Sequence, residues 1–351
     1  MSTKKKVAIQ LPAIAKATNI SERYALELEA LDRIAELVEV PGSSAAEFLA
    51  GAADADALIT SWGIHIDRQI IAGLEKCVVI GVGSVGVDMV DVDAATEAGI
   101  VVTNVPDVFI EEVADHAMML LLAAARRTKQ MDQMARSGDW FKGRPLLSAF
   151  PRLMGRTLGL VAFGNVARCV ARRAKPFGLH VLAYDPYVSE LAISAEGVEP
   201  VSLPELLERS DYISMHAPLN DETRHLLSTA QFAAMKRDVV IVNTGRGPTI
   251  DETALVKALQ SGQVGAAGLD VLEHEPPNRT NPLFDMPNVI VTPHVASATS
   301  RMRPETRRRV GREVALVLKG KWPMSCVNPT VLPRTDLERW QPYPMTRGPN
   351  R

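Results

Sequence analysis

Short apolar runs alternate with helix-length segments along most of the chain. Strands are predicted over residues 7–11, 37–40, 57–60, 78–82 and 100–103, and in a second series over 157–163, 180–184, 212–216, 239–243, 265–270 and 288–292. Strands buried on both faces are continuously apolar, as these runs are, and their alternation with helices is typical of parallel sheets. The pattern therefore predicts an α/β protein with two doubly wound parallel sheets.

The segments between the strands predict helices over 22–36, 45–51, 166–176, 204–209, 252–261 and 304–319. One long helix is expected over 111–136, because Glu111, Glu112 and Asp115 near its start suit the helix dipole. Its apolar middle, 117–125, should be buried on several sides. Residues 137–155 are expected to form a loop and the Pro-rich residues 328–351 an irregular arm.

Charge and cysteine content exclude several classes of protein. The 351 residues carry 39 Lys and Arg against 41 Asp and Glu, a net charge of -2 that gives no footprint for nucleic acid or an anionic membrane. The Arg-rich residues 301–312 are therefore expected to be a solvated helix face. Cys77, Cys169 and Cys326 are too far apart for a zinc motif or a disulfide framework. Without a secretory signal or a membrane-length apolar run, we expect a cytoplasmic protein with no membrane partner.

A complete G-x-G-x-x-G pattern occurs at residues 81–86, directly after a predicted strand. The next residues, 87–91, do not open a helix, and they place acid beside the position a pyrophosphate would take. No acidic residue stands about 20 positions on, where Thr103 lies. Because the dinucleotide fingerprint needs that context, this motif is not expected to bind a nucleotide.

Residues 162–167, Ala-Phe-Gly-Asn-Val-Ala, match the fingerprint less well but have the right context: a strand, a helix, and a second strand that ends at Asp185. Gly164 lets the backbone approach a pyrophosphate, and the helix N-terminus supplies N–H donors. Asp185 can accept hydrogen bonds from both ribose hydroxyls and would repel a 2′-phosphate. The sequence thus predicts NAD as the cofactor, with NADH preferred over NADPH.

Two more predicted strands are followed by charged residues suited to binding or catalysis. Arg246 stands between glycines, where a guanidinium can bind a carboxylate through two hydrogen bonds. Asp270 ends a strand, and Glu273 and Glu275 follow it as alternative acidic groups. His274 lacks a helical partner at metal-ligand spacing, so no metal site is expected.

Histidines follow two further strands. His294 comes directly after a proline, and a histidine there is suited to move a proton at neutral pH. His216 ends a strand where an adenine could lie, and the remaining histidines have no comparable setting. Since ligands of open α/β sheets bind beyond the carboxyl ends of the strands, the set suits hydride transfer between a 2-hydroxy acid and a 2-keto acid.

Together these segments resemble the D-isomer-specific 2-hydroxyacid dehydrogenase family over about residues 78–329. The resemblance rests on the segment Gly83–Ala95, TNVPDVFIEEVADHAMMLLL from Thr103, GRTLGLVAFGNVA from Gly155, AYDPY from Ala183, VNTGRG from Val242, GLDVLEHEPP from Gly268 and TPHVA from Thr292. Within the family, the chain is most similar to the group that includes C-terminal binding proteins and glyoxylate/hydroxypyruvate reductases.

The resemblance implies a role for each group. Arg246 would orient the carboxylate and carbonyl of the substrate, and His294 would be the general acid/base with Glu275 as its carboxylate partner. The substrate would also contact Ser84, Val85 and Gly86, which makes the first glycine motif a substrate loop. The residues implied near NAD are Gly164, Asn165, Val166, Asp185, His216, Ala217, Pro218, Thr223, Thr244, Gly245, Arg246, Asp270, His294 and Ala296.

The resemblance also implies a layout. A Rossmann NAD domain, residues 104–296, would be inserted in a flavodoxin-like substrate domain formed by 1–103 and 297–330, with a tail at 331–351. Family members are usually homodimers joined by the long helix after Glu111 and the loop that follows it. Loops near Trp62 and Ser84 would meet the side chain of the hydroxy acid.

The chain departs from the family at the nucleotide turn. Most members have Gly where Ala162 and Ala167 stand and a basic residue where Asn165 stands. Two hypotheses follow: NAD binds more weakly, or Arg168 compensates. This altered turn favours an alternative function, a dinucleotide-sensing binding protein of the C-terminal binding protein type with little turnover. The complete catalytic set favours an enzyme.

Overall fold

The computed structural model describes residues 4–10, 19–42, 44–60, 63–148 and 150–340. Leu11, Trp62 and the part of the predicted tail beyond residue 340 lie outside the described residues. The chain divides into two compact units, Met1–Val108 with Thr299–Arg351, and Phe109–Ala298. Both units are α/β and both sheets are parallel, which confirms the predicted fold class.

The first unit is built on a five-stranded sheet of β1 (Lys5–Gln10), β2 (Ala35–Val40), β3 (Ala57–Thr60), β4 (Val79–Val82) and β5 (Val101–Thr103). The strand order, β2-β1-β3-β4-β5, is that of flavodoxin-like sheets. Its helices are α1 (Ile20–Arg23), α2 (Ala25–Leu31), α3 (Ala45–Ala52), α4 (Arg68–Ala72), α5 (Val92–Glu97) and, after the chain returns, α14 (Met302–Leu318).

The solvated face expected over residues 301–312 is found only in part, because Arg303 and Arg312 are exposed whereas other parts of α14 are packed. Helix α14 packs against α2 and β4 and buries Val310 and Val314. Arg307 donates to both carboxylate oxygens of Glu27 at 2.6 Å, and Arg308 pairs with Glu29 at 3.1 Å. Acidic side chains of α2 thus balance part of this positive charge within the unit.

The second unit contains a seven-stranded sheet of β6 (Thr157–Val161), β7 (His180–Tyr184), β8 (Glu199–Pro200), β9 (Tyr212–Met215), β10 (Val239–Asn243), β11 (Val264–Leu269) and β12 (Val289–Val291). The order β12-β11-β10-β9-β6-β7-β8 is the Rossmann order extended by one strand. It reverses at β6 and β9. The carboxyl ends of these two strands therefore form the switch point where open sheets bind ligands.

Helices cover both faces of this sheet, and its strands β9, β10 and β11 are buried along their whole length. One apolar cluster involves α6 (Ile110–Ala125), α9 (Asn165–Ala174) and α10 (Glu190–Ser194), and the other α11 (Leu203–Arg209), α12 (Thr229–Ala234) and α13 (Glu252–Gln260). The unit also contains α7 (Thr128–Ser137) and α8 (Gly143–Ser148). No helix of the described ranges is both long enough and apolar enough to cross a membrane.

The single long helix predicted over 111–136 is wrong. Helix α6 ends at Ala125 and α7 begins at Thr128, because Arg127 takes a left-handed backbone with φ 52°. The buried guanidinium of Arg127 lies 4.5 Å from the ring centroid of Phe150. A contact with a residue so far along the chain leaves no mark on local helical periodicity.

Two other predicted elements also differ from the structure. The segment 137–155 is not a loop throughout, because it contains a 3-10 turn at Trp140–Lys142 and then α8. The helix predicted over 22–36 is split into α1 and α2, and its last residues belong to β2. The start of the predicted arm forms a 3-10 helix at Pro329–Arg334.

Candidate active site

The turn after β6 leaves open space at the start of α9. Ala162 has a left-handed backbone with φ 71°, Phe163 is buried, and Gly164 is the N-cap residue of α9. Within the described part of the chain, no side chain caps this helix end, and a Cβ added to Gly164 would meet no atom within 4 Å other than those of its chain neighbours. The backbone N–H groups of Asn165 and Val166 therefore begin a helix whose positive end faces unfilled space.

Asp185 ties the end of β7 to this turn. Its Oδ2 accepts a hydrogen bond from the Phe163 N–H at 2.8 Å, and its Oδ1 accepts one from the Tyr187 N–H at 2.8 Å. Both bonds fix the carboxylate beside the glycine turn, where a ribose-binding acid is expected. Arg168 is already engaged by Glu196 at 3.2 Å.

The end of β9 lies next to the end of β6, because the His216 N–H donates to the Val161 carbonyl at 2.9 Å. Burial lowers the pKa of His216 to about 4, so its ring is neutral at pH 7. Ala217 is buried after it, and the Thr223 hydroxyl donates to the Pro218 carbonyl at 2.6 Å. Four of the residues that the resemblance implies near NAD, His216, Ala217, Pro218 and Thr223, thus follow β9 at the switch point.

The turn after β10 is organised by the buried side chain of Asn243. Its Oδ1 accepts from the Gly245 N–H at 3.0 Å and its Nδ2 donates to the Arg246 carbonyl at 3.0 Å. The guanidinium of Arg246 donates to the Gly245 carbonyl at 2.9 Å. The buried Thr244 Oγ1 has no hydrogen-bond partner among the described residues, which is costly unless a ligand supplies one.

Asp270 holds the turn that follows β12. Its carboxylate is almost fully buried and accepts from the Thr292 hydroxyl at 2.5 Å, the Val295 N–H at 3.0 Å and the Ala296 N–H at 2.9 Å. Its carbonyl also accepts from the N–H of His294 at 2.9 Å. Asp270 therefore fixes the backbone on both sides of the predicted proton-transfer residue.

His294 and Glu275 form a close pair, with 2.6 Å between His294 Nδ1 and Glu275 Oε2. The other oxygen of Glu275 accepts from the Leu272 N–H at 3.0 Å. Burial alone would raise the pKa of Glu275, but the bonds from His294 and Leu272 and the charge of Arg246 outweigh it and lower the pKa. Glu275 is thus an anion held against the imidazole, within electrostatic reach of the guanidinium.

The other acidic candidate, Glu273, has a different position. Its Oε1 lies 2.7 Å from His225 Nε2, and its Oε2 accepts from the Glu252 N–H at 3.1 Å. Glu273 therefore joins the segment after β11 to the start of α13. The sequence left Glu275 and Glu273 as alternatives, and the structure places Glu275 against His294 and Glu273 against His225.

The predicted substrate loop lies in the first unit, after β4. The Ser84 hydroxyl donates to the Gly86 carbonyl at 2.6 Å, and the Asn104 amide donates to the Val85 carbonyl at 2.7 Å. The Val105 N–H donates to the Ser84 carbonyl at 3.0 Å. These bonds give the loop a defined conformation.

His116, a histidine that lies near the His294 turn, was not singled out from the sequence. His116 on α6 lies 2.9 Å from Thr292 Oγ1 and 3.4 Å from Asp270 Oδ1, contrary to the expectation that the remaining histidines lack a comparable setting. The signal available in the sequence was a polar residue on the otherwise apolar face of a buried helix.

The second unit fits a dinucleotide on two observations. The N-terminus of α9 faces space that a Cβ on Gly164 would enter, and the buried Thr244 hydroxyl lacks a partner within the described ranges. Both features lie beyond the carboxyl ends of strands of one sheet, where nucleotides bind in this architecture.

Comparison with known proteins agrees with this geometry. The family model for the D-isomer specific 2-hydroxyacid dehydrogenase NAD binding domain matches residues 118–296. A D-3-phosphoglycerate dehydrogenase of Methanocaldococcus jannaschii is 39% identical over 321 residues, which cover 90% of this chain and 60% of that protein. The chain therefore spans less than two thirds of that relative's own length.

Two further relatives are covered more fully. A glyoxylate reductase of Korarchaeum cryptofilum is 40% identical over 280 residues, which cover 80% of this chain and 84% of that protein. The solved structure of an NADPH-dependent glyoxylate/hydroxypyruvate reductase from Sinorhizobium meliloti matches with a TM-score of 0.78 and 31% identity, over 93% of this chain and 98% of that one. The chain therefore belongs to the D-isomer specific 2-hydroxyacid dehydrogenase family.

Proposed function

We propose that this protein is an NAD-dependent oxidoreductase that interconverts a D-2-hydroxy acid and a 2-keto acid. The observation that carries the proposal is the His294–Glu275 pair, 2.6 Å apart, on the same sheet as the open turn at Gly164. An acid/base pair and a dinucleotide turn at one sheet edge are the two parts that such a reaction requires.

His294 is the proton-transfer residue in this proposal. Because Nδ1 faces Glu275, Nε2 is the nitrogen that gives a proton to the substrate oxygen during reduction and removes it during oxidation. Glu275 orients the ring and stabilises its protonated form, as an anion of lowered pKa does. Bound NADH supplies the hydride.

Arg246 binds the carboxylate of the substrate and orients its carbonyl. Its backbone is fixed by the Asn243 side chain, so the guanidinium starts from a defined turn. Contacts of Ser84, Val85 and Gly86 with the substrate are a prediction from the family resemblance, as are contacts of the remaining cofactor residues with NAD.

NADH is the preferred cofactor in this proposal, since the carboxylate of Asp185 would repel a 2′-phosphate. The Sinorhizobium meliloti relative is NADPH-dependent, so the preference needs a direct test. Asp185→Asn keeps an oxygen that can accept the Phe163 N–H but removes the charge. The ratio of kcat/KM for NADH over NADPH should fall in this variant, and an unchanged ratio would contradict the assignment.

The protein would act as a homodimer through the second unit. Met119 on α6 and the consecutive Trp140 and Phe141 are exposed, with 73% and 89% of the two aromatic residues accessible. Large apolar side chains that are exposed in this way are typical of protein interfaces. Light scattering should give the mass of a dimer, and Phe141→Asp should shift it toward the monomer.

The main test is NADH consumption with glyoxylate, hydroxypyruvate, pyruvate, phenylpyruvate and 3-phosphohydroxypyruvate. At least one should be reduced, and His294→Asn should lower kcat by about 10²- to 10⁴-fold because a general acid is lost. His180→Phe, at an exposed position at the start of β7, is the control and should leave kcat unchanged. Tight NADH binding without turnover of any keto acid would contradict the proposed oxidoreductase activity and favour a dinucleotide-sensing protein.

A further inference from the structure

His116 occupies an enclosed position beside the turn that carries His294. Its Nε2 lies 2.9 Å from Thr292 Oγ1 and 3.4 Å from Asp270 Oδ1. Only 16% of the His116 side chain and 1% of the Asp270 side chain are accessible. A buried carboxylate is expensive unless polar groups surround it, so the imidazole is part of its required environment.

The packing of α6 on β11 brings this histidine to the sheet edge. Leu120, one helical turn after His116, lies over Gly268, where an added Cβ would come 2.9 Å from Leu120 Cβ. Asp270 follows Gly268 by two residues. The glycine therefore permits the close approach that sets the imidazole against the carboxylate.

The hydrogen atoms in this cluster can be assigned. The Thr292 hydroxyl has one hydrogen, and its 2.5 Å contact with Asp270 Oδ1 uses it, because an ionised carboxylate only accepts. Thr292 Oγ1 must then accept at its 2.9 Å contact with His116, so His116 carries its proton on Nε2. His116 therefore donates a hydrogen bond to Thr292, and Thr292 donates one to Asp270.

The same carboxylate fixes the turn around His294. Asp270 accepts from the Val295 and Ala296 N–H groups, the two that follow His294 in the chain. His294 itself has φ 52°, a left-handed conformation that residues with side chains rarely adopt. Such a conformation persists only where neighbouring groups hold it.

We propose that His116 is a positioning residue for His294, acting through Thr292 and Asp270 on the 292–296 turn. This inference rests on the proposed function, since it assigns His116 a part in proton transfer by another histidine. His116 does not itself exchange a proton with the substrate. Its effect is to keep the His294 ring in line with Glu275 and with the substrate oxygen.

The test compares four variants of the full chain. His116→Phe removes the donor, Thr292→Val removes the hydroxyl at nearly constant shape, His116→Gln restores a donor, and His180→Phe is the control for an exposed histidine. The first two should lower kcat by about 10- to 100-fold, because small misplacement of a reacting group is costly. KM for the keto acid and Kd for NADH should change by less than about threefold.

Coupling and rescue separate positioning from general damage. The double variant His116→Phe/Thr292→Val should be no worse than either single variant, since both break one chain of hydrogen bonds. His116→Gln should recover most of kcat. Unchanged kcat in His116→Phe and Thr292→Val would overturn the proposal, as would equal losses of kcat, NADH affinity and thermal stability that glutamine does not repair.

A second readout does not need turnover. In protein labelled with ¹⁵N-histidine, the ring nitrogens of His294 report its tautomer and its bond to Glu275. His116→Phe and Thr292→Val should change these signals, whereas His180→Phe should not. If the parent reduced no keto acid, the proposed function would fail on that ground, and unchanged His294 signals would separately overturn the role of His116.

Discussion

Two glycine-rich turns of this chain, residues 81–86 and 162–167, show how little a motif means without its surroundings. The first has every glycine of the dinucleotide fingerprint, but Gly81 lies against α14, where an added Cβ would come 2.6 Å from Val314 Cγ2. The next helix, α5, is capped by its own Asp91 carboxylate, which accepts the Ala94 N–H at 2.8 Å. At that helix end, a carboxylate of the chain itself therefore takes the place that a bound anion would have.

The second turn keeps one glycine of the fingerprint and yet has the features that a phosphate requires. Helix α9 starts within it, at Asn165, without a side-chain cap from the described residues, and the space at Gly164 is open. The carboxylate of Asp185 is fixed beside it. An uncapped helix N-terminus at a switch point matters more for phosphate binding than the number of glycines.

Filling the open turn should have the largest effect. Gly164→Val keeps an extended backbone conformation that valine tolerates, and, its chain neighbours aside, no atom of the described residues lies within 4 Å of the position its Cβ would take. We expect NADH affinity to fall by about 100-fold, or ~2.7 kcal/mol, with the melting temperature of the free protein nearly unchanged. Fluorescence titration measures the affinity. If Gly164→Val kept the NADH affinity of the parent, the nucleotide would not bind at this turn.

Lowering the pH should reduce the stability of the second unit through His216, which follows β9 at the switch point. Burial lowers its pKa from 6.5 to about 4, so between these values the unfolded chain binds a proton that the folded chain does not. Stability is therefore lost as the pH falls from 6.5 toward 4, by about 2–3 kcal/mol at pH 4.5.

His216→Gln removes this contribution. Urea unfolding at pH 7 and pH 4.5 should show a smaller loss of unfolding free energy in the variant than in the parent. Equal losses in the two proteins would mean that the imidazole is not buried in its neutral form.

Adding a methyl group at Gly81, in the first turn, should lower the free energy of unfolding and leave NADH affinity nearly unchanged. Gly81→Ala places a methyl group against Val314 and Val310, and overpacking of this kind costs about 1–3 kcal/mol of unfolding free energy. NADH affinity should stay within about twofold of the parent. A loss of affinity like that of Gly164→Val would assign the nucleotide to the first turn instead.

The smallest effect should come from restoring a glycine in the second turn. Ala162 has φ 71°, which costs alanine about 1 kcal/mol, partly offset by the greater freedom of glycine in the unfolded chain. Ala162→Gly should raise the unfolding free energy by up to ~1 kcal/mol and tighten NADH binding slightly. The weakened-turn hypothesis would fail if neither Ala162→Gly nor Asn165→Arg altered NADH affinity.

Local pattern was enough for the fold class, because buried parallel strands and their crossover helices each have their own periodicity. It placed Arg246, Glu275 and His294 after strands of one sheet, and the structure puts them there. Pattern could not choose between Glu275 and Glu273, since the choice depends on which carboxylate the chain turns toward an imidazole.

The features that escaped prediction depend on residues far apart in the sequence. The break at Arg127 involves Phe150, and the position of His116 depends on Gly268 and Asp270 at the far end of the second unit's sequence. Helical periodicity treats residue 116 as one polar position among apolar ones. The contacts of His116 with Thr292 and Asp270 exist only because α6 packs on the sheet, so they cannot be read from the helix alone.

The central claim is tested most directly by the handedness of the product. The protein would be incubated with NADH and the best keto acid of the panel other than glyoxylate, whose product glycolate is achiral, and the hydroxy acid separated on a chiral column. We predict the D-enantiomer, formed in amounts equal to the NADH consumed, and formed at least about 100-fold more slowly with His294→Asn. An L-hydroxy acid, or NADH loss without any hydroxy acid, would contradict the account.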